Sequence, residues 1–290
     1  MSDITEKDTH YRVLARKYRP LDFAELIGQD AMVRTLSNAI ETGRIAHAFI
    51  LTGVRGIGKT TTARIIAKAL NCIGEDGTGS ATIEPCGVCD NCVSISESRH
   101  IDVMEMDAAS RTGIDDIREI IDGVKYASTT ARFKIYIIDE IHMLSRNAFN
   151  ALLKTLEEPP EHVKFIFATT EIRKVPVTVL SRCQRFDLRR ISIEELMGHY
   201  SKIAVLENCQ IEEPALGLIA RAAEGSVRDG LSLLDQAFAH GAGKVSEEQV
   251  RDMLGLADRT QVLDLYKDIL GGKTADALAK LRHQYHHGAD

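Results

Sequence analysis

Hydrophobic residues follow two alternating patterns over the first 190 residues of the chain. Short apolar runs predict five strands, which read AHAFILTG, IDVMEMD, FKIYIIDE, VKFIFATT and RFDLR. Between these runs, apolar residues recur every three or four positions, which predicts helices at residues 60–70, 115–126 and 147–158. The same spacing predicts an earlier helix over residues 22–43, ending at Gly43. Because strands alternate with helices, we expect an α/β fold in which helices cover both faces of a parallel five-stranded sheet.

The pattern changes after Arg190, where we predict no further strand. Amphipathic segments that predict a small helical domain follow at residues 191–208, 214–225, 226–241 and 245–255. A further helical pair begins at residue 257. The domain boundaries predicted from this order are 1–190, 191–256 and 257–290.

The composition is that of an ordinary globular protein, with 44% hydrophobic and 27% charged residues among 290. The polar N-terminal segment lacks the apolar core of a signal peptide, and no apolar run reaches membrane-spanning length. We therefore expect a cytoplasmic location, where the six cysteines would be thiols or metal ligands rather than disulfides. The net charge of −6 gives no support to nonspecific nucleic-acid binding, so any DNA contact would need a local basic surface.

The segment GVRGIGKT fits the phosphate-loop pattern G-x-x-x-x-G-K-S/T and lies between a predicted strand and a predicted helix. Its glycines let backbone N–H groups turn toward phosphate oxygens, and the helix N-terminus adds its positive dipole end. In this pattern Lys59 reaches the β- and γ-phosphates, and the Thr60 hydroxyl binds Mg²⁺. A glycine-rich turn that matches by chance is the alternative, which the strand–loop–helix context disfavours. The residues predicted to bind nucleotide here are Gly53, Val54, Arg55, Gly56, Ile57, Gly58, Lys59, Thr60 and Thr61.

Two carboxylates follow the apolar strand of IYIIDEIH, at the edge of the sheet where α/β proteins bind ligands. We expect Asp139 to hold Mg²⁺ through its water and Glu140 to orient and polarise the attacking water. A solvated Asp–Glu pair is the alternative, and the phosphate loop favours the functional interpretation. The next strand ends in ATTE, where a hydroxyl of Thr169 or Thr170 would lie near the γ-phosphate. Two β-branched residues that simply favour a strand explain this segment equally well.

Two arginines occupy positions that suit a nucleotide site. Arg182, in LSRCQ, precedes the fifth predicted strand, and an arginine supplied to a neighbour's γ-phosphate would stabilise the charge of the transition state. A solvated turn is the alternative for this residue. Arg228, in GSVRD, lies in the first turn of a predicted helix, where the helix dipole disfavours a cation and a nearby triphosphate would explain it.

Four cysteines are spaced C-x13-C-x2-C-x2-C, at Cys72, Cys86, Cys89 and Cys92. Four thiolates in a cytosolic chain suit tetrahedral Zn²⁺, and because no coordination position stays open the zinc would be structural. A redox Cys-x-x-Cys would need a thioredoxin-like unit, which the pattern does not contain. An iron–sulfur centre agrees with the number of cysteines but lacks its typical follow-on pattern.

Longer segments of the chain include these motifs and read RVLARKYRPLDFAELIGQ, HAFILTGVRGIGKTTTARIIAKALNC, AASRTGI, IIDEIHMLSRNAFNALLKTLEEPPEHVKFIFATTE, VPVTVLSRCQRF and AAEGSVRDGLSLLDQA. In this order they resemble AAA+ ATPases of the clamp-loader class, and most closely the tau/gamma motor-subunit family of bacterial DNA polymerase III. The resemblance covers about the first 250 residues. It implies a P-loop AAA+ domain with a zinc-binding insertion at about residues 72–92, then a helical lid domain and the start of a helical collar.

Members of that family use ATP to open a ring-shaped sliding clamp and place it on primer–template DNA. The resemblance therefore implies an ATPase within the DNA polymerase holoenzyme, with ATP, Mg²⁺ and structural Zn²⁺ as cofactors. Its implied partners are the other subunits of a hetero-pentameric clamp loader, the sliding clamp and primer–template DNA, with no membrane. Only about the first two collar helices are present, so we expect a shortened chain that assembles poorly and hydrolyses ATP weakly as a monomer.

The resemblance also implies roles for individual residues. Thr170 would sense the γ-phosphate, Arg182 would act as a finger on ATP in the neighbouring subunit, and Arg228 would sense nucleotide in its own subunit. The residues implied at the adenine-binding edge are Arg16, Pro20, Ile27 and Gly28. The residues implied to face DNA are Arg111, Thr112 and Lys154.

Two other functions stay open at this point. A nucleotide-locked structural subunit would have the same fold with negligible hydrolysis, and the intact set of Lys59, Thr60, Asp139 and Glu140 argues against it. A different AAA+ machine, such as a branch-migration motor or a helicase loader, is disfavoured by the zinc cysteines and by the SRC segment.

Overall fold

The computed structural model describes residues 11–110, 113–241, 243–255 and 259–286. They form two compact units. The first, called the α/β unit below, comprises Arg19–Ile191 together with Ser226–Arg228. The second, the helical unit, comprises the described parts of Met1–Tyr18, Ser192–Gly225 and Asp229–Asp290.

The strands of the α/β unit are β1 (Ala48–Thr52), β2 (Val103–Asp107), β3 (Lys134–Asp139), β4 (Val163–Thr169) and β5 (Gln184–Asp187). They form one parallel sheet in the order β2-β3-β4-β1-β5. Each strand overlaps one of the predicted apolar runs, so the predicted five-stranded parallel sheet is confirmed. Because all strands run the same way, the carboxyl ends of β1, β3 and β4 lie at one edge of the sheet.

The first seven helices in chain order are α1 (Leu14–Lys17) of the helical unit, then α2 (Asp30–Glu41), α3 (Lys59–Asn71), α4 (Asp90–Ser96), α5 (Ile114–Val124), α6 (Arg146–Glu157) and α7 (Val177–Leu180) of the α/β unit. Alternate side chains of β1 point to opposite faces of the sheet. Phe49 and Leu51 belong to the core cluster formed with α2 and α3. Ala48 and Ile50 belong to the cluster formed with α5 and α6. Helices therefore cover both faces, as the alternation of strands and helices predicted.

The predicted helix over residues 22–43 is wrong in its first third, because α2 begins only at Asp30. The Asp22 carboxylate accepts a hydrogen bond from the Glu25 N–H, and the Glu25 carboxylate accepts one from the Leu21 N–H. These local bonds hold a turn that competes with the helix. Gly28 then takes a φ of +68°, which interrupts any continuous helix.

The helical unit continues with α8 (Ile193–Leu206), α9 (Glu213–Ala222), α10 (Val227–Gly241, whose first two residues belong to the α/β unit), α11 (Glu247–Met253), α12 (Arg259–Leu270) and α13 (Thr274–His286). It also contains two parallel strands, β6 (Gln210–Ile211) and β7 (Lys244–Val245). The prediction that no strand follows Arg190 is therefore wrong. A strand of two residues is too short to show an alternating pattern, and this pair forms between segments that lie far apart in the chain. None of the described helices is both long and apolar enough to cross a membrane.

Candidate active site

The phosphate loop connects the end of β1 to the start of α3. Lys59 is the first residue of α3, and it is only 6% exposed. Its ammonium group donates to the carbonyl oxygens of Gly53 and Val54, each at 3.0 Å. Burial lowers the pKa of Lys59, and the carboxylates of Glu140 and Asp139 oppose that shift. The loop thus encloses a buried cation that faces two acidic side chains.

Gly56 is the loop residue at which the structure most clearly requires glycine. Its φ is +74°, in the left-handed region. A Cβ atom at this position would lie 2.0 Å from Ser226 Oγ. The Gly56 carbonyl also accepts a hydrogen bond of 3.2 Å from the Arg228 N–H. The segment that carries Arg228 therefore packs directly on the phosphate loop within the α/β unit.

Thr60 and Asp139, the two residues predicted to hold Mg²⁺, meet in the structure. The Thr60 hydroxyl lies in the first turn of α3 and donates to Asp139 Oδ2. Asp139 ends β3, and its Oδ1 accepts a hydrogen bond of 2.9 Å from the Glu140 N–H. A hydroxyl oxygen and a carboxylate oxygen are ligands that suit a hard divalent cation. The donor set is therefore compatible with the Mg²⁺ that accompanies a nucleotide.

Glu140 and Thr170, predicted as the water-orienting base and the γ-phosphate sensor, are in direct contact. Glu140 Oε2 accepts hydrogen bonds from the backbone N–H of Thr170 at 3.1 Å and from its hydroxyl at 3.0 Å. Glu140 itself has a φ of +46°, which is uncommon for a residue with a side chain. Residues held in such conformations cluster at functional sites.

His142 is a residue of this site that sequence reasoning missed. It lies in a single 3₁₀ turn, Ile141–Met143, directly after Glu140. Its Nδ1 atom is 3.0 Å from Thr169 Oγ1 and 3.3 Å from Glu140 Oε2. Its Nε2 atom is 3.5 Å from an oxygen of Glu171. The only sequence signal was its place in DEIH, two residues after the predicted base.

Arg182, the predicted arginine finger, follows α7 and is bound to its own α6. Its Nη2 atom forms an ion pair of 2.7 Å with Glu157, and Nη1 donates to the Thr178 carbonyl at 2.6 Å. Within the described part of the chain, none of these polar contacts reaches the phosphate loop. An ion pair at this level of exposure contributes little stability, so it would open easily for another anion.

The residues predicted at the adenine edge lie in both units. Pro20, Ile27 and Gly28 belong to the α/β unit, where all three are half-buried. A Cβ atom at Gly28 would lie 2.6 Å from Arg189 Nη2, so this backbone closely approaches the segment after β5. Arg16 is exposed on α1 in the helical unit. Their role in binding adenine stays a prediction.

The residues predicted to face DNA are only partly described. Arg111 and Thr112 lie outside the described residues. Lys154 is exposed on α6. Its contact with DNA stays a prediction.

The four predicted zinc ligands form one cluster. The sulfur atoms of Cys72, Cys86, Cys89 and Cys92 all lie within 4.8 Å of one another. Four thiolates at about 2.3 Å from a tetrahedral Zn²⁺ would be roughly 3.8 Å apart, so the cluster fits such an ion. Backbone N–H groups also point at two of the sulfurs, from Cys86 to Cys72 at 3.3 Å and from Cys89 to Cys86 at 3.4 Å.

The electrostatic environment differs between these thiols. Burial alone would raise the pKa of Cys86, but hydrogen bonds from the backbone of Cys89 and Val88 outweigh it and bring the value to about 7. Burial raises the pKa of Cys92, which is completely inaccessible. A cation among the sulfurs would be needed to keep both as thiolates.

The segment that carries the cysteines is anchored to the sheet by Asn71. Its side-chain amide exchanges two hydrogen bonds with the backbone of Phe133, both at 2.9 Å. The backbone carbonyl of Asn71 accepts a hydrogen bond of 2.8 Å from the side chain of Asn91 on α4. Arg132 adds a bond of 2.8 Å to the carbonyl of Gly79. The insertion is thus fixed to the start of β3 at several points.

Family models match the chain in three consecutive regions. Residues 28–192 match the DNA polymerase III delta subunit. Residues 195–243 match the ATPase lid domain of the DNA polymerase III clamp loader subunit, and residues 245–290 match domain III of DNA polymerase III subunits gamma and tau.

The curated relatives include tau and gamma subunits of DNA polymerase III. The chain is 53% identical over 255 residues to DNA polymerase III subunit tau of Escherichia coli, covering 88% of the chain and 39% of that protein. It is 45% identical over 261 residues to the gamma subunit of Buchnera aphidicola subsp. Baizongia pistaciae, covering 90% of the chain and 69% of the relative. It is 44% identical over 280 residues to subunit tau of Bacillus subtilis, covering 97% of the chain and 49% of that protein. The chain thus spans about two fifths of the length of the tau subunits of Escherichia coli and Salmonella typhimurium.

Solved structures share the fold at lower identity. Structures of Thermotoga maritima RuvB, described as a Holliday junction branch migration motor, match with a TM-score of 0.60 and 20% identity over 87% of this chain and 79% of theirs. At that identity the likeness concerns the AAA+ fold alone. The family models, by contrast, match by sequence over most of this chain, and the match to the gamma subunit covers 69% of that relative. The chain belongs to the AAA+ tau/gamma family of DNA polymerase III clamp-loader subunits.

Proposed function

We propose that this chain binds and hydrolyses ATP as a motor subunit of a DNA polymerase III clamp loader. The observation that carries the proposal is the meeting of predicted residues at one edge of the sheet. The Thr60 hydroxyl bonds to Asp139, and two donors of Thr170 bond to the adjacent Glu140. This arrangement supplies oxygens for a divalent cation beside a carboxylate for water.

The phosphate loop cradles the triphosphate, and Lys59 supplies the cation. In this proposal its ammonium leaves the carbonyl oxygens of Gly53 and Val54 and turns to the β- and γ-phosphates. Phosphate oxygens would compensate a charge whose burial is otherwise unfavourable, which agrees with the lowered pKa of Lys59. The loop N–H groups and the N-terminus of α3 add further donors.

The Mg²⁺ that accompanies ATP would be held by Thr60 directly and by Asp139 through a water. When bound, it supplies positive charge to the β- and γ-phosphate oxygens. The hydrogen bond between the two side chains can persist in this arrangement, because the Thr60 hydroxyl offers a lone pair to the cation while its proton stays directed at Asp139.

Glu140 orients the water that attacks the γ-phosphorus. As the new P–O bond forms, the bond to the β–γ bridging oxygen breaks, and the products are ADP and inorganic phosphate. The carboxylate accepts a hydrogen bond from this water, so its direction sets the line of attack. Thr170, which now donates to Glu140, would turn its hydroxyl to the γ-phosphate.

Two arginines complete the site in this proposal. Arg228 senses nucleotide in its own chain, which the contact of its backbone with Gly56 supports. Arg182 acts on ATP in a neighbouring subunit, leaving Glu157 as it does so. An arginine that arrives from a neighbour couples hydrolysis to assembly.

The partners follow from family membership and remain proposals. We infer that a protein containing this chain joins other subunits in a hetero-pentamer, opens the sliding clamp and places it on primer–template DNA. Lys154, Arg111 and Thr112 would face that DNA. Arg16, Pro20, Ile27 and Gly28 would border the adenine.

The four cysteines would hold one structural Zn²⁺. The clustering of their sulfurs within 4.8 Å supports this assignment, and four protein ligands leave no open position for catalysis. The domain boundaries that accompany the proposal are an ATPase domain over residues 1–190, a lid over 191–256 and the first collar helices over 257–290.

The experiment that tests the function measures ATP hydrolysis per chain against chain concentration, with Lys59→Ala as the blank. A rate above the blank that rises with concentration supports a motor completed by its neighbours. A flat rate equal to the blank, with ATP still bound, would support the nucleotide-locked subunit instead. Addition of a purified sliding clamp tests the partner, because ATP-dependent binding of the chain to the clamp is expected.

A further inference from the structure

His142 occupies a buried position between two acidic side chains. It is 6% exposed at its side chain, against 28% for Glu140 and 48% for Glu171. Its Nδ1 atom lies 3.0 Å from Thr169 Oγ1 and 3.3 Å from Glu140 Oε2, and its Nε2 atom lies 3.5 Å from Glu171 Oε1. A buried imidazole is therefore within contact distance of the predicted base.

The neighbouring groups favour a proton on Nδ1. If Nδ1 carried a lone pair, it could accept from the Thr169 hydroxyl, but that lone pair would also lie 3.3 Å from the carboxylate oxygen of Glu140, which is unfavourable. A proton on Nδ1 instead lies 3.0 Å (Nδ1 to oxygen) from its hydrogen-bond partner Thr169 Oγ1, and the Glu140 carboxylate at 3.3 Å attracts it electrostatically.

The opposite tautomer, protonated on Nε2, would place its proton near Glu171, which already has other partners. Glu171 is closer to Lys174, at 2.7 Å, and about half exposed to water. Its distance from Nε2 is also the longer of the two, at 3.5 Å. The surroundings therefore favour a proton on Nδ1, near Glu140, over a proton on Nε2 alone, near Glu171.

We propose that His142 is a positioning residue for Glu140, which it holds in the direction of the attacking water through a proton on Nδ1. The inference rests on the proposed ATP hydrolysis and adds a residue to it. His142 touches neither nucleotide nor water in this scheme; it acts through the carboxylate. Thr170 donates twice to Glu140 Oε2, and Nδ1 of His142 lies 3.3 Å from the same oxygen.

Positioning can be separated from packing by choosing which ring nitrogen is replaced. The side-chain amide nitrogen of asparagine lies as many bonds from the backbone as Nδ1, whereas that of glutamine matches Nε2. His142→Asn should therefore keep most of the kcat, within about threefold of the unchanged chain. His142→Gln and His142→Ala should lower kcat about tenfold or more, because a misdirected base loses its alignment with the water.

The affinity for ATP should stay within about twofold in all three variants, since His142 does not face the nucleotide. His100→Asn is the matched control, because His100 is also buried (8% exposed) and bonds to Asn91 and to the Asp102 N–H, far along the chain from the site. Equal losses in His142→Asn and His142→Ala, or an unchanged kcat in His142→Ala, would overturn the proposal.

A double variant tests whether His142 acts through Glu140. In single-turnover measurements, His142→Ala should have little further effect once Glu140→Gln is present, because the group that it positions has already lost its charge. Independent effects that multiply would overturn the positioning role and indicate general destabilisation.

A spectroscopic measurement decides the proposal even if this chain fails to hydrolyse ATP. ¹⁵N-labelled histidine reports which ring nitrogen carries the proton, and the His142 signals are those missing from His142→Asn. We expect a protonated Nδ1 whose signal moves in Glu140→Gln. A neutral ring protonated only on Nε2, or signals that do not respond to Glu140→Gln, would overturn it. Failure of the proposed function is seen separately, as hydrolysis no greater than that of Lys59→Ala.

Discussion

The backbone N–H and the hydroxyl of Thr170 donate to the same oxygen of Glu140, at 3.1 and 3.0 Å. The two residues are 30 positions apart in the chain and meet because β3 and β4 are neighbours in the sheet. In the proposed reaction both face the γ-phosphate. In that proposal the hydroxyl that would sense the nucleotide is the one that now holds Glu140, so nucleotide binding would release Glu140.

We expect Thr170→Val to lower the rate of ATP hydrolysis about tenfold while leaving the affinity for ADP unchanged. Valine keeps the shape and the backbone N–H but removes the hydroxyl that would contact the γ-phosphate. Single-turnover hydrolysis and ADP titration measure the two effects. Thr35→Val, which removes an exposed hydroxyl on α2, is the control. A full rate of hydrolysis in Thr170→Val would contradict the sensor role.

Lys59→Met should abolish ATP binding without destabilising the folded chain. Burial lowers the pKa of Lys59 below its unfolded value of 10.5, so the unfolded chain binds this proton more tightly. The resulting destabilisation is fully present at pH values below the folded-state pKa and disappears as the pH rises to the unfolded value. Methionine has no charge to bury, so Lys59→Met removes this destabilisation at pH 7.5.

Urea unfolding and nucleotide titration check this prediction. Lys273→Met, at an exposed position, is the control for the change of side chain. A loss of stability of more than about 1 kcal/mol in Lys59→Met would show that the ammonium stabilises the loop through its carbonyl contacts.

Arg182→Ala and Glu140→Gln chains should complement each other if Arg182 acts in trans. Each variant alone should hydrolyse ATP slowly, because one lacks the finger and the other lacks the base. In mixed assemblies some sites combine an intact Glu140 with an intact Arg182 from the neighbour, and the rate per chain should rise. Steady-state hydrolysis across mixing ratios at fixed total concentration measures this. Mixtures that never exceed the average of the two variants would count against a finger in trans.

Removal of zinc should destabilise the α/β unit. One zinc per chain is expected by elemental analysis, and a chelator or Cys92→Ser should lower Tm by roughly 5 °C or more, because the thiol cluster pins a long insertion. Cys209→Ser is the control, since Cys209 belongs to the helical unit and is not a member of the cluster. A metal-free chain that retains all four thiols and the same Tm would exclude a structural metal.

Gly56→Ala should weaken ATP binding more than the same substitution at another glycine with a left-handed backbone conformation. The new Cβ would meet Ser226 Oγ at 2.0 Å, so Ser226 must turn its hydroxyl away or shift from the loop. Gly43→Ala is the matched control, because Gly43 has a φ of +65° but no atom within 4 Å of the new Cβ.

Ser226→Gly in the Gly56→Ala background should restore part of the loss, since it removes the clashing side chain. Isothermal titration with a nonhydrolysable ATP analogue measures all four chains. The same affinity in Gly56→Ala and Gly43→Ala would mean that the contact between Gly56 and Ser226 does not affect ATP binding.

Local features of this protein could be predicted from the sequence because their physical causes are local. Apolar runs of strand length predicted β1 to β5, and the spacing of glycines, Lys59 and Thr60 predicted the phosphate loop between β1 and α3. The four cysteine positions were likewise predicted as one cluster, and their sulfurs come together. Where local bonds compete with periodicity the prediction was wrong, as in the turn at Asp22 and Glu25 that delays α2.

What the sequence by itself determined, then, is the type and order of the strands and the identity of the phosphate-binding and cysteine segments. Only the tertiary structure decided which side chains meet. The order β2-β3-β4-β1-β5 brings Glu140 to Thr170 and buries His142 between Glu140 and Glu171. The position of α3 beside the sheet likewise brings Thr60 to Asp139, and within the helical unit two distant segments pair as β6 and β7. Periodicity reports which face of an element is buried, whereas these contacts depend on which elements become neighbours, and that is settled by packing across the whole core.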